Sequence, residues 1–222
     1  MQKILALFLF TLTLPFYPIF FLAIKLTSPG PFIFKQKRAG RGKKPFTIYK
    51  FRTMVKNAEE LKKKYLGLNE AGDPTFKIIN DPRFTKFGKI LAKSALDELP
   101  QLINVIKGEM ALVGPRPLPI NEAGKVPKKY QGRFSVLPGL TSTWIIRGAH
   151  ELSFEKWMEL DLEYVKNKNA LLDLKIIAKT ILLLLRPKLI YIIPIVLLVI
   201  IIILLLINSS IKTAPVFLYP QL

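Results

Sequence analysis

The chain contains no cysteine. Disulfides and thiolate metal sites are therefore excluded, which suits the cytoplasm. It also lacks a nucleotide P-loop: G-R-G-K-K, Gly40 to Lys44, does not have the spacing of glycines before Lys-Ser/Thr that such a loop requires. No small-residue cleavage site follows the first apolar run, which argues against a secretory signal peptide. Acidic residues are scarce, with 15 Asp and Glu against 34 Lys and Arg, a formal charge of +19. A nucleic-acid binder would explain that charge but not the two long apolar segments beside it. A membrane surface explains both, because anionic headgroups attract each juxtamembrane Lys or Arg by about 1 kcal/mol.

At 222 residues the chain has room for one ordinary domain plus membrane segments. The first apolar segment, Ile4 to Ile24, is interrupted by Pro15 and Pro18, each of which removes a backbone donor and clashes with the preceding turn. Two readings stand: a kinked span, or a helix that dips in, breaks and leaves by the same face. Thr11 and Thr13 carry hydroxyls able to serve carbonyls freed by the break. The second segment, Leu189 to Ile207, is nineteen residues without a charge and predicts a transmembrane helix. Arg186 and Lys188 favour a cytoplasmic start, which makes Asn208 to Leu222 a short extracytoplasmic tail. Pro194 leaves open a second kinked insertion.

Between these segments, residues 35–64 hold twelve Lys or Arg against Glu59 and Glu60, interleaved with Phe46, Tyr49 and Phe51. Such a mixture suits an interface that holds headgroups and orients phosphates. Alternation over Phe32 to Phe34 and Phe46 to Tyr49 predicts two short strands around a glycine-containing loop. Residues 56–66 read as a charged helix and 67–82 as loop. A helix from Phe87 to Leu96 leads to S-A-L-D-E-L-P-Q-L-I-N-V-I-K-G, Ser94 to Gly108, in which Leu99, Leu102, Ile103 and Ile106 have helical spacing. Asp97 and Glu98 stand at its N-terminal end, where negative charge is favoured and a phosphate would also dock. A phosphate and two carboxylates share such a place only around a cation, and a divalent metal with oxygen ligands would serve. Arg116, between two prolines in V-G-P-R-P, loses little entropy on engaging a phosphate or carboxylate. Glu155 to Val165 reads as an amphipathic helix bearing Asp161. Asp173 opens another, ending at Leu185, whose Lys175 and Lys179 suit an interface. His150, the only histidine, falls in a loop.

D-P-R-F-T-K-F-G (Asp81 to Gly88) and the stretch from Ser94 to Pro117 occur in order with S-P-G-P (Ser28 to Pro31), K-F-R-T-M (Lys50 to Met54), N-E-A-G (Asn69 to Gly72), L-P-G-L-T (Leu137 to Thr141) and D-L-E-Y-V (Asp161 to Val165). This series, over roughly residues 4–186, resembles the bacterial sugar transferase family of monotopic polyprenyl-phosphate phosphoglycosyl transferases. The resemblance implies a mostly helical α+β fold in three parts. Residues 1–25 would be a re-entrant helix-break-helix with its break at Pro15 and Pro18. Residues 26–186 would be a compact interfacial catalytic domain on the cytoplasmic face of the bacterial inner membrane, and 187–222 a transmembrane helix and tail. It implies transfer of a hexose 1-phosphate from a UDP-sugar to polyprenyl phosphate with release of UMP, Asp97 as nucleophile and Glu98 with Asp97 as ligands of Mg²⁺. Arg116, Lys93, Arg133, Asp161 and Asp173 are the substrate-side candidates. Anionic lipids are expected partners, nucleic acid is not. The chain departs from the family pattern at Gln2, Leu14, Ala92, Ala95, Ser142, Thr143, Ile145 and Ala149, where Asp, Ser, Arg, Ser, Gly, Trp, Gln and Arg are usual, and Lys93 is the expected substitute for the missing charge at Ala92. A non-catalytic basic membrane scaffold is the alternative that these departures keep open.

Overall fold

The computed structural model describes residues 2–70, 76, 78–148 and 153–185. They divide into a compact unit ending at Ile181 and a second beginning at Leu182, of which residues 182–185 are described and helical. The expected span Leu189 to Ile207 with Arg186, Lys188 and Pro194, the tail after it, and also Ala149 and His150 lie outside the described residues. The first unit is α+β and mostly helical.

Helices α1 (Gln2–Thr13) and α2 (Tyr17–Thr27) are joined by a 3-10 turn at Leu14–Phe16. Pro15 and Pro18 fall in the first turns of the elements that follow the break, where their missing N–H groups are not needed. The carbonyls they would have bonded are those of Thr11 and Leu14. Leu14 O accepts instead from the Tyr17 N–H. The threonine hydroxyls do not serve these groups as expected: Thr11 Oγ1 donates to Leu7 O at 3.0 Å and Thr13 Oγ1 to Phe10 O at 2.9 Å. A helical side chain leans toward the N-terminus, so its hydroxyl reaches back a turn. Residues 2–27 are long and apolar enough to cross a membrane. Yet both halves rest on the same body, with Ala6 and Ile24 buried in its core and Tyr17 and Phe20 against Phe51 at ring distances of 4.9 and 5.4 Å. Ile4, Leu7, Phe8, Leu12, Phe16, Ile19, Leu22 and Leu26 are left exposed.

The body begins with an antiparallel hairpin of β1 (Ile33–Ala39) and β2 (Pro45–Phe51), with Phe34 opposite Lys50, Gln36 opposite Ile48 and Arg38 opposite Phe46. Paired residues share a face, so Arg38 and Lys50 project on the side of Phe46 and Ile48. After the charged helix α3 (Ala58–Lys64), α4 (Lys86–Lys93) starts at Thr85, whose Oγ1 accepts from the Gly88 N–H at 2.9 Å. It stops short of the expected Leu96 because Ala95 takes a left-handed conformation, φ 56°. The single helix expected after it is divided, with a 3-10 run at Leu96–Gln101 around Pro100 and then α5 (Leu102–Lys107), closed by Gly108 at φ 81°.

Leu102 and Val105 pack on Phe46 and Ile48, together with Leu112 and Val113 of β3 (Ala111–Val113). Then come α6 (Ile120–Gly124), a 3-10 run at Lys128–Ser135, and β4 (Gly139–Thr141), parallel to β3. Helix α7 (Phe154–Asn167) lays Phe154 and Met158 on Leu118, Ala123, Val126 and Phe134. From α8, which covers 170–185, Ile176 enters the first core with Ala6 and Tyr164. Buried Asn104 locks α5 to β2: its Nδ2 donates to Thr47 O at 2.7 Å and its Oδ1 accepts from the Tyr49 N–H at 3.3 Å.

Gly88 is where α4 touches the chain after β2, and a Cβ there would fall on the Thr53 carbonyl. Gly88→Ala is expected to cost about 2 kcal/mol and lower the melting midpoint by several degrees. Thermal unfolding of the detergent-solubilised protein checks this, and an unchanged midpoint would mean that the two segments do not touch.

Candidate active site

The left-handed turn at Ala95 swings the chain out of α4 and presents Asp97 and Glu98 to the inner face of the hairpin. Asp97 is 7% exposed. Lys50 Nζ lies between the two acids, 2.6 Å from Glu98 Oε1 and 3.5 Å from Asp97 Oδ2, while Arg116 Nη1 is 3.7 Å from Glu98 Oε1. Burial raises a carboxyl's pKa and nearby cations lower it, and the two acids settle on opposite sides. Burial pushes Asp97 up, against the pull of Lys50. At Glu98 burial is outweighed by the closer Lys50 and by Arg116, which hold the carboxyl down at about 2.

Lys50, Glu98 and Arg116 line an open cavity together with Arg38, Gln101 and Ser142, among others. Arg38 and Arg133 hold the 114–119 loop from two sides. Arg38 Nη1 donates to Pro117 O at 2.9 Å, and the Ala39 N–H donates to Leu118 O at 2.9 Å. Arg133 Nη2 donates to Arg116 O at 2.8 Å. The Arg116 guanidinium carbon lies 5.8 Å from the Trp144 ring centre.

Of the residues singled out in the sequence, Asp97, Glu98 and Arg116 come together. Arg133 and Asp161 form a buried ion pair, with Nε and Nη2 at 2.9 and 2.7 Å from Asp161 Oδ2. Burial pushes the Asp161 carboxyl up to about 6 while Arg133 pulls it down. The pair's tie to the cavity is the Arg116 carbonyl. Asp173 lies elsewhere, accepting from Tyr164 Oη at 2.7 Å and from Gln2 Nε2 at 3.1 Å. Gln2 Oε1 also accepts from the Leu112 N–H, at 3.1 Å, so this network seats the start of α1 on β3. Lys93 is exposed on α4 and among the described residues pairs with neither acid. The ammonium beside the two acids is that of Lys50.

Sequence reasoning missed Lys50, Arg38, Gln101 and Ser142 as site residues. For the first two a signal existed: strand alternation puts Lys50 in phase with buried Phe46 and Ile48, and a lysine at an inward position needs a partner. Gln101 and Ser142 carry no comparable mark.

Breaking a buried ion cluster from one side leaves uncompensated charge. Lys50→Met is therefore expected to cost about 3 kcal/mol or more in chemical denaturation, and adding Asp97→Asn with Glu98→Gln should return most of it. Equal costs in both backgrounds would show that the cluster does not hold β2 to the acidic turn.

The sequence profile of the family described as "Bacterial sugar transferase" matches residues 1–187. The galactosyl transferase CpsE of Streptococcus agalactiae serotype III is 42% identical over 153 residues, 68% of this chain and 34% of that protein. The undecaprenyl-phosphate galactose phosphotransferase of Salmonella typhimurium is 39% identical over 165 residues, 71% of this chain and 34% of its own length. This chain thus spans about a third of these two relatives. The exopolysaccharide production protein ExoY of Rhizobium meliloti is 36% identical over 173 residues, 75% of this chain and 76% of that protein. The acidic turn, its cations and the 114–119 loop all fall inside the matched residues, and the chain belongs to the bacterial sugar transferase family.

Proposed function

We propose that this chain transfers a sugar 1-phosphate, a hexose 1-phosphate by its likeness to relatives named for galactose, from a UDP-sugar to undecaprenyl phosphate, releasing UMP. The observation that carries this reading is the pair of adjacent carboxylates under Lys50 and Arg116 at the edge of the cavity. An Asp97 oxygen attacks the phosphorus that bears the sugar, the bond from that phosphorus to the bridging oxygen breaks, and UMP leaves with the electron pair. The product on the protein is an acyl phosphate. An oxygen of the lipid phosphate then attacks the same phosphorus, which frees the Asp97 carboxylate and yields the lipid diphosphate sugar. Lys50 and Arg116 stabilise the charge that grows on the phosphoryl oxygens and on departing UMP.

Asp97 and Glu98 form a donor set suited to Mg²⁺, which takes one or two carboxylates and completes its shell with waters and substrate phosphates. Among the described residues no third Asp, Glu, His or Cys joins them. Bound there, Mg²⁺ would neutralise diphosphate oxygens and ease the departure of UMP.

Asp97→Asn keeps the shape and removes the nucleophile. UMP release and labelling of the protein by sugar-phosphate-labelled UDP-sugar without lipid should both fall by roughly a thousandfold or more. The wild-type label should be released by hydroxylamine and map to Asp97. Labelling of the variant at near the wild-type level would replace the covalent route with direct attack by the lipid phosphate.

Residues 2–27 lie in the interface as a re-entrant segment, and the catalytic body sits on the cytoplasmic face of the inner membrane, held also by anionic lipids. In support, α1 and α2 both pack on one body while their other sides remain apolar and exposed. A chain without cysteine makes the test direct. Single cysteines at Lys3 and at Thr27 should both resist an impermeant maleimide in intact cells and react after permeabilisation, whereas labelling of Lys3→Cys from outside would establish a span.

A further inference from the structure

Three donors at the cavity have no partner among the described residues: Arg38 Nε, Gln101 Nε2 and Ser142 Oγ. Gln101 and Ser142 are each 2% exposed, so bulk water does not serve them. A buried donor left unpaired costs about 1–3 kcal/mol, and native folds seldom retain several in one place without a ligand or ordered water to meet them. These three come from separate elements, each fixed by other bonds. Arg38 is anchored by Nη1 to Pro117 O, at 2.9 Å. Gln101 ends the 3-10 run that carries the acids. Ser142 follows Thr141, whose carbonyl accepts from the Gly114 N–H at 3.0 Å.

What would satisfy them is an acceptor. Two of the three atoms, a guanidinium Nε and a carboxamide Nε2, can only donate, and the serine hydroxyl can join them as a third donor. The same cavity holds the cations Arg38, Lys50 and Arg116 beside Glu98, with Asp97 in contact with Lys50 and Glu122 within electrostatic reach of Arg38 and Arg116. An oxygen-rich anion offers several acceptor atoms to the unmet donors and pairs with the guanidinium of Arg38. We propose that Arg38, Gln101 and Ser142 form a phosphoryl-oxygen subsite that holds a substrate phosphate beside Glu98. This rests on the transferase reading, under which two phosphates come to the cavity, the donor's diphosphate and the lipid's monophosphate.

The test uses the full chain in nanodiscs and the variants Gln101→Leu and Ser142→Ala, which remove a donor at nearly constant shape. Without ligand their melting midpoints should match or exceed wild type, because an orphan buried donor is gone. Dissociation constants for UDP and for inorganic pyrophosphate, followed by thermal shift, should rise roughly tenfold or more if the donor diphosphate is the occupant, with the donor KM in lipid-free UMP release rising alongside. If the lipid phosphate is the occupant, those constants stay and the KM for undecaprenyl phosphate rises instead. Should Gln101→Leu fail to fold, Gln101→Glu keeps the shape, presents an acceptor in place of the donor and should weaken anion binding further. Unchanged binding and unchanged values of both KMs in folded variants overturn the subsite. A wild type that binds UDP and pyrophosphate but transfers no sugar phosphate would overturn the transferase reading and leave the subsite standing.

Discussion

Two adjacent carboxylates can be taken out of water only if cations go with them, and much of this body is arranged to bring those cations to Asp97 and Glu98. A carboxylate pair alone in a low-dielectric setting would protonate and lose its charge. Lys50 prevents this for Glu98 at 2.6 Å. Its own position follows from the strand that carries it, and that strand is fixed to the acidic segment through Asn104. The carboxamide of Asn104 bonds the backbone of Thr47 and Tyr49, the latter immediately before Lys50. A fully satisfied buried amide sets register better than apolar contacts, which tolerate sliding. The acids and their counterion are thereby held at a defined spacing before any substrate arrives.

The second support is the 114–119 loop. Prolines on both sides of Arg116 limit its backbone, but a stiff loop still has to be aimed. Arg38 and Arg133 do this by grasping the carbonyls of Pro117 and Arg116. Arg133 is itself neutralised by Asp161 in a pair almost wholly removed from water. Buried ion pairs add little net stability over an apolar replacement, since desolvation offsets attraction. Here the pair's consequence is geometric: a guanidinium held at one end by a carboxylate offers its other edge to the loop. Asp161 thus acts on the cavity through Arg133 and the Arg116 carbonyl.

The readable parts of this protein were those with local causes. Strand alternation foretold the hairpin and the prolines foretold the break near Leu14, whereas the grouping of Asp97, Glu98 and Arg116 was expected chiefly from the family resemblance, since an acidic first turn and a P-R-P loop are ordinary features by themselves. What was not legible has one origin, which is that side chains meet through the fold. Lys93 is close to Asp97 in sequence, but the left-handed turn at Ala95 separates them, and the charge comes from Lys50, forty-seven residues away. Asp161 and Asp173 looked alike as acids on amphipathic helices. One neutralises an arginine behind the 114–119 loop, and the other ties Tyr164 to Gln2. The division of the 94–108 helix was equally hidden, because a 3-10 run and a first α-turn share the same apolar spacing over so few residues.

The placement of α1 and α2 connects the apolar segment to the acidic turn and its cations. Were residues 2–27 a straight span, one end would stand about 39 Å from the other, far across the hydrocarbon. Both ends instead meet the same body, Gln2 at Leu112 and Ile24 within the cluster of Phe51 and Leu91. Leu112 lies in β3, two residues before the start of the loop that carries Arg116, and Phe51 follows Lys50 directly in β2. The apolar segment is therefore seated on the two backbone stretches that position the cations of the acidic turn. Under the transferase reading proposed above, in which one substrate is soluble and the other stays in the bilayer, the apolar segment and the frame that aims the charges would share their contacts.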